Sequence, residues 1–194
     1  MKKIILASNS PRRREILGKF IDFEAVTAEV KEDNDFYKSP QTLVMALAFE
    51  KANSVAGKYG DAVVIGADTV VEIGGEILGK PKSREDAKTM MEKLRGRSHK
   101  VITGFAIVDL SSDKKYMDYE VTEVKFKDMS DEEIENYLNK AEYMDKAGAY
   151  GIQDEAALFV DKIKGNYLNI VGFPISKIYT VLKDNFDLSL LEEE

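Results

Sequence analysis

An α/β or α+β chain folded around one mixed sheet is what the sequence predicts, on three observations. Helix-period and strand-period segments alternate through the first half of the 194 residues. The run 62–67, Ala-Val-Val-Ile-Gly-Ala, is continuously apolar, as a central strand covered on both faces is. Two long strand-like segments, 100–110 and 115–126, then follow one another across the turn residues Ser111-Ser112-Asp113, a pairing foreign to a purely parallel doubly wound sheet.

In order, Ile4 to Ala7 form a first strand that stops at Ser8-Asn9-Ser10. Pro11 fits the first turn of a helix, with Ser10 as its expected N-cap. A strand handing over to a helix N-terminus makes a small cradle that favours anions. Arg12, Arg13 and Arg14 concentrate positive charge there, against a net charge of −7. A phosphate-bearing ligand is one reading of this stretch, and a solvated helix face is the other.

Residues 23–28 read as a short strand and the acidic stretch 29–35 as a loop. Ser39-Pro40 opens a helix carrying Leu43, Val44, Leu47, Ala48 and Val55 at helical spacing, ended by Gly57 and Gly60. The strand at 62–67 reaches Asp68-Thr69 and continues through 70–73 to a Gly74-Gly75 hairpin turn. Ser83 with Asp86 resembles a capping box for a helix bearing Ala87, Met90, Met91 and Leu94, which stops near Gly96. Ser130 with Glu133 caps a helix through Ile134, Tyr137 and Leu138. Residues 145–153 are expected to loop, 157–160 to form a strand, Pro174 to open a final amphipathic helix, and the tail 192–194 to fray. No repeat or linker divides the chain, so one domain over 1–194 is expected.

Composition closes several classes of function. With no cysteine there is no thiolate metal site and no cysteine nucleophile. The single histidine, His99, excludes chemistry that needs two; a structural hydrogen-bonding role is expected for it. The acidic balance argues against nucleic acid as a partner. No apolar run approaches the roughly 20 residues of a membrane helix, and the one after Lys2-Lys3 is too short for a secretory leader. A cytoplasmic protein without membrane contact is therefore expected. The Walker loop and Gly-x-Gly-x-x-Gly motifs are both missing.

Among candidate residues, Asp68 is the sharpest. A carboxylate at the end of a buried apolar strand must be solvated, paired or bound to a cation. It reads either as a turn or cap residue or as a ligand for Mg²⁺ or a water-orienting base. Glu32, in the acidic loop, is a second candidate metal ligand, against a solvated charge run. Lys51 and Lys80 are candidate phosphate contacts. Lys51 reads first as a surface lysine with its stem along the helix, whereas Lys80 lies in the constrained Gly79-Lys80-Pro81 loop.

Several stretches together resemble the Maf (septum-formation protein) family of nucleoside triphosphate pyrophosphatases. They are Leu6-Ala7-Ser8-Asn9-Ser10-Pro11-Arg12-Arg13, Ala48-Phe49-Glu50-Lys51-Ala52, Gly66-Ala67-Asp68-Thr69-Val70-Val71 and Leu78-Gly79-Lys80-Pro81. Leu94 to Gly104, Asp145 to Gln153 and Asn169 to Pro174 continue the set in the same order. The form Lys-Ala-Gly-Ala-Tyr-Gly-Ile-Gln is similar to that of the dTTP/UTP branch rather than the 7-methyl-GTP branch. The resemblance implies a strongly twisted mixed sheet with flanking helices, like that of inosine triphosphate pyrophosphatases, with two lobes around a cleft. It implies hydrolysis of dTTP and UTP to the monophosphate and pyrophosphate with Mg²⁺ or Mn²⁺, as house-cleaning of the nucleotide pool.

By position, the resemblance makes Asp68 the catalytic acidic residue and, with Glu32, a metal ligand. It gives Ser8, Arg12, Arg13, Lys51 and Lys80 to the phosphates, and Arg12, Thr69 and Gln153 to base specificity. Arg14 is left as a surface residue. Lys31 departs from the acidic residue the family usually places before Glu32. A homodimer is a further expectation at family level. The alternatives are a nucleotide-binding regulator of cell division, or the same chemistry on another base such as 7-methyl-GTP.

Overall fold

The computed structural model describes residues 2–30 and 39–191. Glu32 and the tail 192–194 lie outside them. Among the described residues, strands and α-helices follow in the order β1 (Lys3–Ala7), α1 (Pro11–Leu17), β2 (Glu24–Ala25), α2 (Pro40–Ala56), β3 (Ala62–Ile73), β4 (Glu76–Leu78), α3 (Arg84–Leu94), β5 (Ser98–Asp109), β6 (Lys114–Phe126), α4 (Asp131–Lys140), β7 (Val160–Lys164), α5 (Tyr167–Val171) and α6 (Ile175–Phe186). The sheet is mixed, as expected, in the order β2-β1-β3-β5-β6-β7 with β4 on β3. β1 pairs parallel to β2 and β3, while β3–β4 and β6–β7 are antiparallel. No helix among the described residues is long and apolar enough to cross a membrane.

The chain forms two compact units. The first comprises the described residues of Met1–Asp68, Thr103–Glu120 and Gly172–Glu194; the second comprises Thr69–Ile102 and Val121–Val171. The first unit has a core of small and β-branched side chains: Ile5, Ala7, Ala48, Ala52, Val55, Ala56, Ala62, Val64, Ala106 and Val108. Glycine sets how closely α2 approaches the sheet. A Cβ on Gly66 of β3 would run into the Ala48 carbonyl and come within 2.9 Å of the Ala52 amide, and one on Gly104 of β5 would strike the Val44–Met45 backbone. The second unit is rich in aromatic contacts, with Phe126 set edge-on to His99, Tyr150 and Phe159.

Local chemistry explains most boundaries. Ser39 Oγ accepts from Thr42 N at 3.2 Å, Pro40 occupies the first turn of α2, and Gly57 caps its end. Ser130 and Glu133 make both bonds of the capping box. At α3 only half of the expected box forms: Ser83 Oγ accepts from Asp86 N, but the Asp86 carboxylate accepts from Lys82 N. Gly74 and Gly75, at φ +60° and +87°, turn the β3–β4 hairpin as two-residue loops require.

Two expectations need correction. Ser10 makes no side-chain cap on α1; its amide instead donates to Ser8 Oγ at 3.2 Å. The apolar run at 157–160 is not a strand. A 3₁₀ segment over Glu155–Phe159 buries Ala156 and Phe159 and leaves Leu158 73% exposed, and β7 starts only at Val160. Four apolar side chains in a row satisfy either period, so the pattern alone does not separate them. The segment 145–153 loops as expected, with Gly148 and Ala149 both at positive φ, and the short α5 is an element not expected from the sequence.

Candidate active site

Strand parity and helix periodicity bring the charged residues together. β1 ends at Ala7 opposite Gly66, so Ser8 and Asp68 lie just beyond the carboxyl end of a parallel pair, the edge where open α/β sheets bind ligands. Ala62, Val64, Gly66 and Asp68 share one face of β3, the face on which α2 packs. On α2, Lys51 falls on the same side as Ala48, Ala52 and Val55, three residues that join the core. Lys51 Nζ therefore donates to Asp68 Oδ1 at 2.6 Å, with both side chains only about 15% exposed (15% and 13%). Lys51 is thus no surface lysine, and Asp68, within a twelve-residue strand, is neither a turn nor a cap residue.

The turn after β1 is built around Ser8, which is 7% exposed. Its Oγ accepts from Ser10 N and from Arg13 Nη1, and its carbonyl accepts from Arg14 Nε and Nη2 at 3.3 and 3.2 Å. Arg14 also reaches Asn9 Oδ1 at 3.4 Å, so this exposed residue braces the turn. Arg13 donates from Nη1 to the Ala67 carbonyl at 2.7 Å and from Nε to the Gly172 carbonyl at 2.8 Å. It locks the residue before Asp68 to the turn that carries Ser8. Arg12, half-buried, lies on the same first turn of α1.

The structure thus unites Ser8, Arg13, Lys51 and Asp68 in the first unit. Thr69 follows Asp68 directly and points to the other face of β3, half-buried. Lys80 and Gln153 belong to the second unit and are both exposed. Their segments are tied together, because Gly148 N donates to the Gly79 carbonyl at 2.9 Å. Gly148 sits at φ +67°, and a Cβ there would come within 2.9 Å of Val71, so only glycine fits both the conformation and the space.

His99 has the structural role expected of it. It is 2% exposed, its Nε2 meets the Tyr150 hydroxyl at 2.7 Å, and burial lowers its pKa to about 4. Burial likewise pushes the Tyr150 phenol far up, so this is a contact between neutral groups. Tyr137, also raised by burial, donates to the Ala149 carbonyl at 3.0 Å. No group of three His, Cys, Asp or Glu side chains among the described residues could hold a metal ion. Asp68 is the carboxylate the described part of the site offers.

The family model described as Maf-like protein matches residues 3–185. The dTTP/UTP pyrophosphatase of Alkaliphilus oremlandii (strain OhILAs) is 50% identical over 98% of this chain and 100% of its own. That of Clostridioides difficile (strain 630) is 50% identical over 96% and 97%. Among solved structures, the Staphylococcus aureus Ham1 protein matches with a TM-score of 0.47 and 18% identity, over 64% of this chain and 72% of its own. The residues that converge around Asp68 come from the motif segments that first pointed to one family, and the family model spans all of those segments: the chain belongs to the Maf family.

Proposed function

We propose that this protein hydrolyses dTTP and UTP to the monophosphate and pyrophosphate, in the cytoplasm, as house-cleaning of the nucleotide pool. The observation that carries the reading is half-identity, end to end, to proteins named dTTP/UTP pyrophosphatase. The first unit supplies compatible chemistry. Asp68, oriented by Lys51 at 2.6 Å, accepts a proton from the water that attacks the α-phosphorus. The bond from that phosphorus to the bridging oxygen breaks, and pyrophosphate leaves with the electron pair. Lys51 and Arg12 offset the negative charge of the triphosphate and its leaving group, and Lys80, of the second unit, is a further candidate phosphate contact.

A divalent cation, Mg²⁺ or Mn²⁺, belongs to the same proposal. One carboxylate with substrate phosphates is a donor set that Mg²⁺ accepts, so Asp68 fits a cation that arrives with the nucleotide. Glu32 is the second candidate ligand. The cation would supply charge neutralisation at the phosphates. For the base, the Gln153 amide offers both a donor and an acceptor, which suit O4 and N3–H of uracil or thymine, with Arg12 and Thr69 as further candidates. Incubation with a panel of nucleoside triphosphates, with Mg²⁺ and with chelator, should yield monophosphate from dTTP and UTP only when the metal is present. No monophosphate from any triphosphate would refute the activity. Preference for a purine would refute the substrate, and turnover in chelator would refute the cation.

A further inference from the structure

Lys146 is the single buried lysine or arginine among the described residues, 6% exposed, and the chemistry above does not use it. An ammonium group taken out of water costs several kcal/mol unless it is partnered, and its partners show what it holds. Its Nζ donates to the Glu142 carbonyl, just beyond α4, and to Asp145 Oδ1 at 3.0 Å. The same nitrogen is 3.6 Å from Asp154 Oδ2.

Asp154 closes a four-residue turn: its amide donates to the Gly151 carbonyl at 3.1 Å, leaving Ile152 and Gln153 at the two central positions. Ile152 is buried and Gln153 is exposed. The opening corner, Gly151, lies on the stem of Lys146. A Cβ there would stand 2.7 Å from Cε and 2.9 Å from Cδ. Both corners of the turn that presents Gln153 therefore rest on one side chain. The preceding residues are held separately, Ala149 by the Tyr137 hydroxyl and Tyr150 by His99.

We infer that Lys146 is a positioning residue for base selection, fixing the turn from which Gln153 reads the pyrimidine. The inference rests on the proposed reading of Gln153. Lys146→Met keeps the length of the stem and removes the charge, and the separate anchors at 149 and 150 leave the rest of the segment in place. The assay is kcat and KM on dTTP, UTP, CTP and ATP with Mg²⁺, for Lys146→Met, Gln153→Ala and the double variant. A misplaced recognition group should cost on the order of tenfold in kcat/KM on dTTP and UTP, mostly through KM. Turnover of CTP and ATP should change far less, so the preference for uracil and thymine narrows.

Because Lys146 acts through Gln153, the double variant should discriminate no worse than Gln153→Ala alone. Asp154→Asn, at a side chain 42% exposed, should shift preference in the same direction by less, and it serves if Lys146→Met does not fold. An equal loss on all four nucleotides, or an unchanged preference where Gln153→Ala abolishes it, overturns the positioning role alone. An unchanged preference in Gln153→Ala overturns the base reading and this inference with it.

Discussion

Asp68→Asn separates catalysis from scaffolding most sharply, because the substitution preserves shape and removes one charge. At 2.6 Å, the Coulomb attraction to Lys51 is about 6 kcal/mol at an effective dielectric near 20. Desolvation of two side chains at 13% and 15% exposure offsets much of that. A charged hydrogen bond is worth about 1.5–3 kcal/mol net, and asparagine still offers Lys51 a neutral acceptor, so a loss of about 2 kcal/mol is expected. That lowers the melting midpoint by about 4–8 °C in a chain of this size. Loss of a proton acceptor should instead lower kcat by about 10²–10⁴-fold. A stability loss of that size leaves the protein folded at the assay temperature, so the two effects are separable. Circular-dichroism melting and chromatographic quantification of monophosphate read them in parallel. Turnover within about threefold of the parent, with a lowered midpoint, would refute the catalytic role and leave the pair as a clamp between α2 and β3.

Two further outcomes follow from packing. Burial lowers the His99 pKa from 6.5 to about 4, so between those values the unfolded chain binds a proton that the folded chain refuses. Its contribution is complete above pH 6.5, declines as the pH falls, and is down by about 3 kcal/mol at pH 4; His99→Gln should flatten the stability profile over that window, and an unchanged slope in chemical denaturation would count against the assignment. Gly66→Ala should cost about 1–3 kcal/mol by overpacking and lower kcat by moving Lys51 away from Asp68. Unaltered melting and turnover would show that α2 accommodates the methyl without shifting the pair.

The elements that sequence defines well are those whose ends carry their own chemistry. α2 has Ser39, Pro40 and Gly57, α4 has Ser130 and Glu133, and the β3–β4 hairpin has two glycines at positive φ. Where no such punctuation exists, the outcome depends on distant neighbours. The run at 157–160 becomes a 3₁₀ turn as Phe159 packs against Phe126 and Tyr137, contacts that strand periodicity does not encode. The short α5 does carry local punctuation: it follows Gly165, whose φ is +129°, and Asn166 Oδ1 accepts from Leu168 N at 2.9 Å in its first turn.

The site divides along the same line. Asp68 was legible because a carboxylate closing an apolar run needs a partner, and Lys51 could have been found by periodicity, since it sits three residues after Ala48 and four before Val55 on the buried stripe of α2. The arginines were harder. Three guanidinium groups in one turn announce an anion, yet two of them serve the backbone. Arg14 braces Ser8, and Arg13 bonds carbonyls 54 and 159 residues downstream. Local sequence can concentrate positive charge near a phosphate. Only the tertiary arrangement decides whether a guanidinium faces the ligand or the strand that carries the carboxylate. Arg13 bonds the strand, and the carbonyl it holds there belongs to Ala67, immediately before Asp68.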